Sequence, residues 1–96
     1  YYNGGGTLQA FKEALKWYRA SAEQGHAKAQ YNLAMMHYKG EGTPQDYKYA
    51  HMWWNLAAAN GIEQAKSNRD ILAERMSPAD IGIAQQMASD WMKAHP

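Results

Sequence analysis

The chain has 96 residues, enough for one small domain that buries only about 60 to 70% of its unfolded surface. Its formal net charge of +1, with acids and bases interspersed, gives neither a basic stripe for nucleic acid nor an acidic block for a disordered tail. It has no cysteine, which excludes a disulfide framework, a Cys-based zinc site and a thiol nucleophile, and no apolar run near the roughly 20 residues of a membrane helix.

Tyr1 to Gly6, YYNGGG, matches His37 to Gly42, HYKGEG, so the chain is expected to open on a helix tail and its exit loop, as a fragment of a longer array. From Leu8 to Gln24, Phe11, Ala14, Leu15, Tyr18 and Ala22 keep the spacing of one helical face, and Trp17 widens it. Lys12, Lys16, Arg19 and Glu23 take the wet face, and Gly25 stops the helix because glycine adopts a left-handed C-terminal conformation at little cost. Ala27 to Lys39 reads as a second helix, with Ala29, Leu33, Ala34, Met36 or Met35, and Tyr38 as its apolar set, ended by Gly40 and Gly42.

Thr43-Pro44-Gln45-Asp46 then reads as a helix start, with threonine capping, proline in the first helical position and Asp46 in the first turn. The third helix runs to about Asn60. Tyr47, Ala50, His51, Trp54 and Ala58 form its stripe, which Trp53, Leu56 and Ala57 broaden, so burial on more than one side is predicted. Glu63 to about Arg75 is a fourth helix. Ser77-Pro78-Ala79-Asp80 repeats the start signal in a register two residues shorter, and a fifth helix reaches about Ala94. Its Ile81, Ala84, Ala88 and Trp91 are predicted to face inward and Gln85, Gln86, Ser89, Asp90 and Lys93 outward, as suits the cap of an array.

Sliding the chain by 36 residues superposes it on itself: Tyr2 falls on Tyr38, Gly6 on Gly42, Ala14 on Ala50, Trp17 on Trp53, Ala22 on Ala58, Gly25 on Gly61 and Asn32 on Asn68. The repeated residues Ala29, Leu33, Ala34, Tyr38, Gly40, Gly42, Asp46, Tyr47, Ala50, Trp53, Ala57, Ala58 and Gly61 resemble the pattern of the Sel1-like repeat family, a relative of the tetratricopeptide repeat. The departures are Ala34 where that family prefers glycine, Pro44 near its usual valine, and the missing glycine pair around Met76.

The resemblance implies an all-α solenoid of stacked antiparallel helix pairs, about five helices ending in a C-terminal capping helix. It divides the single domain into the end of an upstream repeat (1–25), a complete repeat (26–61) and a degenerate last repeat with the cap (62–96). It also implies a scaffold for a protein or peptide partner, with no enzymatic activity and no cofactor. The first helix of each pair should line the concave face, which points to Lys28, Tyr31, Met35 and Lys39, with Gln64, Ser67, Ile71 and Glu74 one repeat on. Tyr31, Met35 and Ile71 are the expected anchors. Bacterial members of the family are often exported. Some carry paired cysteines, a subset that this chain does not resemble.

Other readings follow from the residues themselves. A self-associating segment that terminates a longer array is one alternative, through Phe11, Leu15 and Tyr18 left partly bare. A hydrolase is another, but no nucleophile, base and orienting acid share a recognisable context; Ser67 and Ser77 suit surface and cap. His37 and His51 lie on different helices with no HExxH pattern, and His26 and His95 fall at helix termini, so no metal is expected. The last helix lacks the basic face that lying on a membrane requires.

Overall fold

A computed structural model of the chain describes residues 7–96, and the helix tail and loop expected at Tyr1 to Gly6 lie outside them. Five α-helices follow one another: α1 (Leu8–Glu23), α2 (Ala27–Lys39), α3 (Tyr47–Ala59), α4 (Glu63–Ala73) and α5 (Pro78–Ala94). No strand occurs among the described residues. The all-α architecture is the one the repeat implies.

The repeat is visible as a pattern of bonds. At the end of α1, the Gly25 N–H donates to the Ala22 carbonyl at 3.0 Å and the His26 N–H to that of Ser21 at 3.3 Å. Thirty-six residues on, at the end of α3, the Gly61 N–H donates to Ala58 at 3.0 Å and the Ile62 N–H to Ala57 at 3.1 Å. Both are Schellman terminations, and Gly25 and Gly61 hold the positive φ that these need, at 89° and 99°.

The start of α3 differs from the sequence expectation. Thr43-Pro44-Gln45 stays outside the helix, and Asp46 is the N-cap rather than a first-turn residue, its Oδ1 accepting from the N–H groups of Lys48 at 2.9 Å and Tyr49 at 3.2 Å. The stretch before it is used to finish α2. Gly40 and Glu41 donate to the Met36 carbonyl, Asp46 to that of His37 at 2.9 Å, and the Gln45 side chain to that of Tyr38 at 2.8 Å. Three carbonyls that a helix end would leave orphaned are thereby satisfied. In the first unit Ala10 stands where Asp46 stands in the second and cannot cap, so α1 starts three residues earlier in the repeat, on Thr7. Ser77 caps α5 with Pro78 and Asp80 in the first turn, as its sequence predicts.

α3 is the hub. It packs against α2, α4 and α5, whereas α1 packs against α2. Accordingly Ala50, His51, Met52, Trp53, Trp54, Leu56 and Ala57 of α3 are all buried. Alanines at 14, 22, 34, 50, 57, 65, 84 and 88 are at most 1% exposed, which lets the helices approach closely while Trp53, Trp54, Leu33 and Met36 fill the space between them. α5 lies on α3 rather than pairing with α4, so the last pair departs from repeat geometry where the glycine pair is missing. Its Ala84 and Ala88 are buried, with Ile81 and Trp91 half-buried beside them.

The apolar stripe of α1 needs one correction. Trp17, aligned with the buried Trp53, is 67% exposed. Trp53 is covered edge-on by Trp91 of α5 at 5.8 Å between ring centroids, and no described helix does the same for Trp17. Leu15 is buried and Phe11 and Tyr18 pack on the core, so the large apolar groups that α1 leaves bare are Trp17 and Leu8.

A buried side chain ties the first three helices. Gln30 of α2, with no exposed surface, donates from Nε2 to the Ala22 carbonyl at 3.2 Å and accepts at Oε1 from the Asn60 amide at 3.0 Å.

Candidate functional site

α2 and α4 do not pack backbone against backbone; side chains span a cleft between them. Trp54 of α3, 2% exposed, is part of its lining. Tyr31 and Tyr38 of α2 tilt against the Trp54 ring at 6.5 and 5.6 Å between centroids. Asn68 of α4 donates to the Tyr31 hydroxyl at 3.3 Å, and Arg75, in the turn just after α4, donates to the Tyr38 hydroxyl at 3.3 Å. Between these two bridges Met35 and Ile71 line a shallow pocket of about 120 Å³.

The eight residues expected on this face divide into two groups. Tyr31, Met35, Gln64 and Ile71 converge on the cleft, Gln64 by donating to Asn68 at 2.9 Å so that the Asn68 amide is aimed at Tyr31. Lys28, Lys39, Ser67 and Glu74 are exposed and line no part of that pocket. Tyr31 and Met35 are half-buried, while Ile71 is 60% exposed.

Sequence reasoning missed Asn68, Tyr38 and Arg75 as cleft residues. Gln64, Asn68, Ile71 and Arg75 follow one another at intervals of four, three and four, the spacing of one helix face, and that signal identifies Asn68 and Arg75 from Gln64 and Ile71 alone. Tyr38 stands three residues after Met35 on the same basis.

The histidines offer less. His37 and His51 are buried, each with an Nδ1 that has no hydrogen-bond partner, as has the Trp54 Nε1. Burial pushes both imidazole pKa values below the ordinary 6.5; Arg19 adds to this at His37 against Asp46, and Arg69 at His51 against Asp70. They are therefore neutral at pH 7. No group of three or more metal-ligating side chains occurs among the described residues, and Ser77 is occupied as a cap. None of the described helices is long and apolar enough to cross a membrane. What the cleft offers is an apolar surface framed by amide, phenol and guanidinium groups, the mixture that binding sites use.

Comparison with known proteins adds a family and a fold. A sequence model of the Sel1 repeat matches residues 1–26 and 27–62. No curated protein matches the chain. Among solved structures, the chain is similar to c5321, a protective antigen present in uropathogenic Escherichia coli strains that displays an SLR fold. The two share 27% identity with a TM-score of 0.82 over 86% of this chain, which spans 18% of the length of that one.

Proposed function

The chain belongs to the Sel1 repeat family, and from that premise we propose that it is a protein-interaction scaffold without chemistry of its own, presenting the α2–α4 face to a protein or peptide partner. The observation that carries this reading is Ile71, 60% exposed beside half-buried Met35 over a pocket bounded by aromatic rings. Apolar side chains in such a setting, rimmed by polar ones, are what binding surfaces concentrate. Tyr31, Met35 and Ile71 are the anchors in this reading; Lys28, Lys39, Gln64, Ser67 and Glu74 form its polar rim. The division into an upstream end (1–25), a complete repeat (26–61) and a closing segment (62–96) belongs to the same proposal.

Affinity capture from lysate with the chain beside its Met35→Asp and Ile71→Asp variants tests it. A partner held by the parent and lost by both variants, with melting unchanged, supports the proposal; equal capture by all three contradicts it. A second reading, self-association through α1, draws on its exposed Leu8 and Trp17. Sedimentation at rising concentration decides it: a constant monomer mass removes the reading, and a rise that Trp17→Lys abolishes supports it.

A further inference from the structure

A second groove, of about 440 Å³, lies between α1 and α3. Its volume is in the range of ligand sites, roughly 300 to 1,000 Å³. α1 and α3 do not pack together as α3 and α5 do. The loop after α2 stands between them: Gly42, at φ +75°, lies so close to α1 that a Cβ there would meet the backbone C and O of Phe11 at 2.8 Å. The α4–α5 connection lacks the glycine pair that builds this wedge.

The groove has apolar rings and unmet donors. Tyr49, Trp53 and Trp91 contribute the rings. Its carboxylates are engaged: Glu23 Oε1 accepts from the Trp91 indole N–H at 2.6 Å, and Asp46 Oδ1 caps α3. Arg19 and the hydroxyls of Thr43 and Tyr49 make no hydrogen bond to the described residues. His37, 6% exposed, has an unpartnered Nδ1 beneath the Tyr49 ring, which stacks on it at 5.2 Å and is itself 45% exposed.

Such a site calls for an acceptor. One guanidinium faces two carboxylates, so an ion of either sign meets opposition, whereas a peptide carbonyl is a neutral acceptor. We propose that this groove is a second binding site, separate from the α2–α4 face, for a short extended peptide segment with an aliphatic or aromatic side chain. That side chain lies against Trp53 and Trp91. A main-chain carbonyl accepts from Arg19, and rotation of the exposed Tyr49 ring opens the His37 imidazole to a second one.

The test is an NMR titration of the isotope-labelled chain with acetyl-Gly-Xaa-Gly-amide, Xaa being Leu, Asp or Lys. The Leu peptide is expected to shift the indole signals of Trp53 and Trp91 and the His37 imidazole, and to bind at least fivefold more tightly than the Asp and Lys peptides. Arg19→Met, Tyr49→Ala and Thr43→Val, checked by melting, are each expected to weaken it severalfold, and Ile71→Ala to leave it unchanged. Silence at those three rings, binding indifferent to Arg19→Met, or preference for a charged peptide overturns the proposal. Shifts confined to Met35 and Ile71 overturn it too, while leaving the α2–α4 reading intact.

Discussion

The Asn68 amide donates to the Tyr31 hydroxyl at 3.3 Å, joining α2 and α4 across the cleft that both line. Because Gln64 holds Asn68 from one turn earlier, the bridge is set by α4 and received by α2. Tyr31→Phe is expected to remove it at a cost below about 1 kcal/mol, since both groups reach water, while Tyr31→Ala also strips the ring from Trp54 and costs roughly 2 kcal/mol or more. Denaturant unfolding of the two variants separates bridge from packing; equal losses would mean that the hydroxyl matters as much as the ring.

Gln30 tests a buried polar link. In Gln30→Leu the Ala22 carbonyl keeps the Gly25 N–H, and exposed Asn60 regains water, so about 1 kcal/mol is expected. Gln30→Ala leaves a void and costs about 2 kcal/mol or more. Gln30→Glu, which places a charge opposite a carbonyl with no cation, costs the most at pH 7, roughly 3 kcal/mol or more. The order of the three midpoints is the measurement, and a leucine variant less stable than the glutamate one would contradict it.

Gly42 and Gly25 share a positive φ but not their surroundings. Gly25→Ala has open space and is expected to cost only the left-handed backbone penalty, about 1 to 2 kcal/mol. Gly42→Ala adds a clash with Phe11 backbone atoms and should cost at least about 1 kcal/mol more. Gly40, with Gln45 Cβ and N at 3.3 Å, falls between them. Equal melting shifts at 25 and 42 would mean that the wedge yields freely.

The buried histidines give a pH dependence of definite sign. With folded pKa values below 6.5, the unfolded chain binds protons first as pH falls, so stability is full above about pH 7 and declines through 6.5 toward the folded values. Melting between pH 7.5 and 5.5 is expected to show this fall, and His37→Gln to flatten part of it. A flat profile would contradict the burial argument.

Most of the fold was legible because the 36-residue repeat carries helix boundaries as well as core positions: Gly25 and Gly61 end helices with the same bonds that their spacing implies. The start of α3 was not, because Thr43-Pro44 has the composition of a helix start and only the carbonyls of α2 reveal that the loop serves them instead. Trp17 was misplaced for a related reason. Periodicity gives a face, but what covers that face is a matter of which helices are present. On the α2–α4 face, Met35 and Ile71 were expected from the family resemblance, which points to the first helix of each pair, whereas Asn68, Tyr38 and Arg75 were hidden because polar residues on a helix surface look like solvated ones until a partner across the cleft is seen.

The claim that the α2–α4 face is the recognition surface is tested most directly by hydrogen exchange on the chain with a captured partner bound. The account predicts added protection in α2 and α4, centred on residues 31–39 and 67–75, and its loss in Ile71→Asp. Protection confined to α1 or α5, with that variant binding as the parent does, would contradict it.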